Sequence, residues 1–262
     1  MGPYADIVSL NNTGVALLRD GDQQEALIEF TRALSCLGLD ARICDREMNQ
    51  FVLKESLDLT RFTAFTSWLA HARSIVVGDH AALFLRSVSF VEQAEIEEGP
   101  LPYDPSVSSN NFFTLFNRAF SVFENVTPSL DTQARLIYLP CILPALFYNI
   151  GLIYHREAIR YDRAEMFSEA LDLYTTSLHL LGGNASCSIP SCNLLLLGLF
   201  NNIGHIHSHF NNEVQTLYCR DQLTAVFLST DCTRLLTKDE FVFFYMNVLF
   251  AVRRFPIIAP AA

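Results

Sequence analysis

Apolar and small residues recur at steps of three and four along residues 10–37, at Leu10, Gly14 and Leu17 and again at Ala26, Phe30 and Ala33, with Gly21 between the two sets. This spacing puts each set on one helix face. It predicts two amphipathic helices joined by a tight turn. Small Gly14, Ala26 and Ala33 would let the helices approach closely while Phe30 fills the gap between them. A second pair follows, with Leu143, Phe147, Ile150, Gly151 and Tyr154 on the first helix and Ala170, Tyr174 and Leu178 on its partner. Seven extra residues separate these halves, and the polar, helix-forming stretch Arg156–Asp162 predicts a longer hairpin rather than a break. The third pair opens after Pro190 and Ser191 and carries Phe200, Ile203, Gly204 and His207 in the same pattern, but its second helix, about 213–229, fits only weakly. Thr237-Lys-Asp-Glu240 reads as a capping box ahead of the apolar run 241–252, a last helix laid against the preceding pair.

The stretch between the first two pairs has no repeat pattern. Leu53–Val77 predicts a helix, 97–111 a loop holding three prolines, and the aromatic-rich 112–123 suits an extended segment as readily as a short helix. The expected fold is all-α: one domain over 1–262, built as an α-solenoid-like bundle of antiparallel helix hairpins. Its units lie at about 7–38, 143–181 and 191–229, with an irregular insertion at about 40–125 and a packing helix at about 238–252.

The small and large positions Leu10, Gly14, Leu17, Ala26, Phe30 and Ala33 resemble those of the tetratricopeptide repeat (TPR). The family's aromatic at the third of these positions is absent, and Gly38 stands where it has a closing proline. The order of the pieces LNNTGVALL, FNRAF, FYNIGLIYH, FNNIGHIHSHF and FFYMNVLF is also similar to a family of diatom TPR-like proteins that carries no assigned activity. The TPR resemblance implies a function. Asn12, Asn149 and Asn202 each stand two residues before a repeat glycine, and Asn247 holds the equivalent place in the last helix. In the family this position faces a concave groove, so these amides, with His205, would contact an extended peptide or protein partner. An amide offers both a donor and an acceptor, which suits main-chain recognition. The competing reading is that each amide satisfies the backbone of a neighbouring helix. Family members that clamp a carboxylate terminus have basic residues where this chain has Asn11, Val15, Gly198 and Asn201, which argues against that ligand.

Charge narrows the partners. With 18 Lys and Arg against 28 Asp and Glu, the net charge is -10, and Arg253-Arg254 is the only adjacent basic pair, so no phosphate-binding stripe exists and nucleic acid is not expected. Arg156, Arg160 and Arg163 share one helix face, either solvated or facing an acidic partner. The uncharged stretch 136–154 is long enough to test as a membrane span, but Pro140, Pro144 and Asn149 interrupt it, so no membrane is expected. Seven cysteines, mostly within apolar helical patterns, and no export signal point to a reducing compartment, cytoplasmic or nuclear. The Asn-x-Ser/Thr sequons at Asn11, Asn125 and Asn184 are then chance.

No nucleophile elbow, phosphate loop, dinucleotide fingerprint or zincin helix occurs. His205, His207 and His209 look like metal ligands, but on a helix 207 points away from the other two, and the repeat register puts it on the packed face. His155-Arg-Glu157 begins a deaminase-like motif that nothing completes, and Cys187 and Cys192 read as free thiols about a turn. The expectation is therefore a non-catalytic scaffold without metal or cofactor. Two alternatives stand beside it. One is an enzyme or metal protein assembling His155, His205, His207 and Cys219; the other is a structural subunit that oligomerises through 136–154 and 241–252.

Overall fold

Three helix pairs each close on a single left-handed residue. In the first, α1 (Pro3–Asp20) and α2 (Gln23–Cys36) are joined through Gly21 at φ 96°, where the Asp22 N–H reaches back to the Leu17 carbonyl. In the second, α3 (Leu139–Tyr161) and α4 (Ala164–Leu180) turn at Asp162, φ 50°, with the Arg163 N–H on Ala158. In the third, α5 (Ser191–His209) and α6 (Glu213–Phe227) turn at Asn211, φ 54°, with the Asn212 N–H on His207. A back-bond of this kind satisfies a helix's terminal carbonyls, and Gly, Asn and Asp tolerate the conformation it needs. The chain therefore reverses at once, and the two helices of each pair lie against each other.

The computed structural model describes residues 3–36, 83–89, 113–124, 139–182, 191–229 and 236–253, and these are mostly helical. The helix predicted over Leu53–Val77, the loop at 97–111 and Cys187 lie outside the described residues. Those residues group into two units. The first takes in Met1–Val91 and Asn117–Gly183, the second Glu92–Phe116 and Asn184–Ala262.

In the first unit α2 also packs on α3, and the seven-residue insertion resolves into one extra turn per helix. From helix glycine to turn residue is seven residues in the first pair (14 to 21) and eleven in the second (151 to 162). From turn residue to packing aromatic is nine (21 to 30) against twelve (162 to 174), so the insertion divides as four and three. At both crossings the expected small-large contact is made. A Cβ on Gly14 would lie 2.5 Å from the Phe30 ring, and one on Gly151 would lie 2.9 Å from Tyr174.

Alongside its helices this unit carries a small two-stranded sheet. β1 (Leu83–Ser89) and β2 (Arg118–Glu124) form an antiparallel ladder in which Leu85 pairs with Val122 and Ser87 with Phe120. The irregular insertion at about 40–125 thus contains a strand pair, and β2 lies against α1 and α3. The aromatic segment 112–123, open between helix and strand from its pattern, is strand from Arg118 onward and neither helix nor strand over 113–117.

The second unit holds α5, α6 and the last helix, α7 (Lys238–Arg253), which packs on α6 as expected. Its capping box forms. The Glu240 carboxylate accepts the Thr237 N–H (2.7 Å) and hydroxyl (2.8 Å), and the Glu240 N–H donates back to Thr237 Oγ1 (3.3 Å). Phe244 and Val248 face inward, whereas Phe241, Val242, Tyr245 and Met246 on the other side are exposed.

Candidate functional site

The asparagines singled out by their register converge on extended backbone belonging to the chain itself. In the first unit Asn12 on α1 accepts the Val122 N–H (2.8 Å) and donates to the Val122 carbonyl (2.8 Å). Asn149 on α3 treats Phe120 the same way, accepting its N–H at 2.8 Å and donating to its carbonyl at 2.9 Å. In a strand both polar groups of one residue point to one edge, and alternate residues to opposite edges. Phe120 and Val122 therefore face the amides, which leaves Ala119 and Ser121 facing β1, where they pair with Val88 and Arg86. Two asparagine side chains thus occupy the edge of β2 where a third strand would otherwise pair.

The second unit uses the same device on residues 113–116. Asn202 on α5 accepts the Phe116 N–H (2.9 Å) and donates to its carbonyl (3.3 Å). Thr114 is shared between two helices. Its carbonyl takes the amide of Asn201 (2.7 Å) and its N–H goes to Asn247 on α7 (2.9 Å), whose own amide bonds the Phe243 carbonyl one turn back.

Pattern reading missed Asn11 and Asn201 as backbone contacts, treating them as places lacking a basic residue and Asn11 also as a chance sequon. Both are fully buried and brace the pairs from the adjacent position. Asn11 donates to the Phe120 carbonyl (3.1 Å) and accepts from Asn149 (3.0 Å), while Asn201 donates to Asn202 (3.2 Å). The doubled asparagine in LNNTG and FNNIG was the available signal. Burial of Asn11 also leaves its sequon inaccessible.

Aromatic side chains seat the same segment. Phe120 meets Tyr148 edge-on at 4.8 Å between centroids, and Phe116 lies 4.8 Å from Phe244 and 5.3 Å from Phe243. Phe113, Phe116, Ala119, Phe120 and Val122 are all buried. The competing expectation is that the amides satisfy the backbone of a neighbouring helix, but of the main-chain bonds described above only the one donated by Asn247 goes to a helix, its own, and the others go to segment 113–122.

The residues considered for chemistry have structural surroundings. His155 is buried between α3 and α4, with Nδ1 3.3 Å from the Tyr174 hydroxyl and its ring edge-on to Phe167. Cys219 is buried, and burial pushes its thiol up to about 12, far from a thiolate at neutral pH. The helical geometry separates the three histidines of α5. His205 is buried, His207 half-buried and His209 exposed, so the packed-face position expected for His207 falls instead to His205. Among the described residues no three His, Cys, Asp or Glu side chains gather as a metal site would require. The Arg160 and Arg163 guanidiniums stack over the exposed Tyr161 ring at 5.4 and 5.3 Å.

Burial, with a smaller push from His209, lowers the His205 imidazole from 6.5 to about 4. Because the folded value lies below the unfolded one, the unfolded chain takes up the proton first as pH falls. The stability held by neutral His205 is full above about pH 6.5 and is lost on the way down to about pH 4, a change of about 2–3 kcal/mol. Urea titrations at pH 7 and 4.5 should show His205→Gln losing less stability on acidification than wild type by that amount. Equal losses in the two proteins would refute it.

No family model, curated protein or solved structure matches the chain, so the reading of the site rests on its own geometry.

Proposed function

We propose that this chain is a non-catalytic protein-interaction scaffold of TPR-like helical hairpins, whose asparagine-lined faces recognise extended main chain. The observation that carries this reading is the paired amide contact, in which one side chain satisfies both the N–H and the carbonyl of a single residue. Recognition of that kind is independent of the residue's own side chain. The repeated left-handed turn and the Gly14–Phe30 and Gly151–Tyr174 crossings support the repeat assignment. The settings of His155 and Cys219 favour structure over catalysis. The net charge of -10 argues against nucleic acid, and no described helix is long and apolar enough to cross a membrane. The buried thiol of Cys219 fits a reducing compartment, cytoplasmic or nuclear.

The test is to probe the full chain with an array of extended peptides, alongside Asn12→Ala. Asn12 is only half-buried, so that variant should keep its fold. Peptides retained by wild type and weakened in the variant are the expected result; an array that captures nothing would end the scaffold reading.

One observation favours a second reading, a structural subunit. The outer face of α7 exposes Phe241, Val242, Tyr245 and Met246, a continuous apolar strip. The other stretch once available for oligomerisation, 136–154, is internal from Ile142 to Tyr154. Light scattering of wild type against a Val242→Asp, Tyr245→Asp variant separates the two, since only a subunit would change mass.

A further inference from the structure

We infer that β2 is a resident ligand held in cis. On this inference the seat made by Asn11, Asn12 and Asn149 also takes, in trans, an extended peptide with an aromatic residue where Phe120 stands and a β-branched residue two places on. The inference rests on the scaffold reading and supplies its ligand class.

The way β2 is held is that of a bound peptide. The amides that grip it come from two helices distant in sequence, at positions 11, 12 and 149, and they touch only the main chain of residues 120 and 122. Selectivity comes from the side chains between and beside those bonds. Phe120 is fully buried against Tyr148, which in turn packs at 5.3 Å on Tyr174, so this position demands an aromatic ring. Ala119 and Val122 are buried beside it, so a small residue and a compact branched one flank the ring position. On the far edge β1 supplies a ladder that any extended occupant inherits.

Covalent attachment explains why the seat is closed to most competitors. A tethered segment acts at an effective concentration on the order of millimolar, so a free peptide with the same contacts displaces it only near that concentration. Weakening the resident opens the seat. Truncating a buried phenylalanine disfavours the occupied state by roughly 100-fold to 1000-fold, and an incoming peptide that still carries the ring gains that factor.

The experiment uses the full-length chain carrying Phe120→Ala and a labelled peptide of residues 117–124, NRAFSVFE, capped at both ends. Fluorescence anisotropy should show at least 100-fold tighter binding to Phe120→Ala than to wild type. The gain should be lost with the peptide NRAASVFE and reduced at least tenfold by adding Asn12→Ala. A folded Phe120→Ala protein that binds the peptide no better than wild type overturns the inference, as does equal binding of NRAASVFE. If Phe120→Ala does not fold alone, refolding it with millimolar peptide decides. Helical ellipticity restored by NRAFSVFE and not by a scrambled peptide supports the seat, and no restoration overturns it. The milder Val122→Ala should show the same trend with a smaller gain. Array peptides captured by wild type alongside no gain in Phe120→Ala would remove this inference alone; an array that captures nothing would remove the scaffold reading and this inference with it.

Discussion

Asn149→Leu should destabilise the fold by about 3–5 kcal/mol, although leucine keeps asparagine's branched heavy-atom outline and suits a helix better. Asn149 is fully buried and makes three bonds: one accepted from the Phe120 N–H, one donated to the Phe120 carbonyl and one donated to Asn11. Leucine removes all three. The Phe120 carbonyl keeps Asn11 at 3.1 Å, but the Phe120 N–H loses its amide, and the Asn11 side-chain oxygen loses the bond from Asn149. An unsatisfied buried group costs about 1–3 kcal/mol, because water that solvates it in the unfolded chain cannot follow it inside. Asn12→Leu is the internal comparison. Asn12 makes the equivalent pair of bonds to Val122 but is only half-buried, so water can replace the lost amide and the loss should be about 1–2 kcal/mol. Equal losses in the two variants, read from chemical denaturation with unchanged m-values, would mean that the amides do not carry the strand.

How far the sequence reveals this arrangement depends on the range of the interaction. Helix pairs, turns and caps are local, and their signals were readable: the three-four spacing from Leu10 to Ala33, Gly21 at the first turn and the Thr237–Glu240 box. The other two turns were harder, since Asp162 and Asn211 take the left-handed conformation without the glycine that usually marks it. The asparagine register was legible too, because a polar residue two places before a packing glycine is conspicuous within an apolar helix. The occupant was not legible. Segment 113–122 reaches its partners across 29 to 133 positions of chain, and no local spacing records which segment fills a face built at that separation. Its alternation was also blurred. Both faces of β2 are buried, so Ala119, Phe120, Ser121 and Val122 show none of the in-out contrast that betrays a half-exposed strand.

The weak second helix of the third pair has a physical explanation, and it yields the other large effect. Sixteen residues separate Gly14 from Phe30, and the same step from Gly204 arrives at Arg220, which cannot fill an apolar gap. The missing ring is supplied by Phe113 of the extended segment, whose Cε2 lies 2.6 Å from where a Cβ on Gly204 would stand. Gly204→Ala should therefore destabilise by about 2–4 kcal/mol, even though alanine is favoured over glycine by about 1 kcal/mol in a helix, because the ring is buried and cannot move aside without a shift of the backbone that carries it. Phe113→Leu, a smaller and more adaptable side chain, should by itself cost about 1–2 kcal/mol. Together the two changes should cost clearly less than their sum, with a coupling of about 1–2 kcal/mol, since the leucine vacates the space the new methyl needs. Strict additivity in that cycle would show that Phe113 is not the ring against Gly204. The same cycle run with Phe30→Leu and Gly14→Ala should couple just as strongly, because the contact at 2.5 Å is of the same kind. In the first pair, however, the ring comes from the partner helix, so the third pair alone should lose its packing when the extended segment is removed.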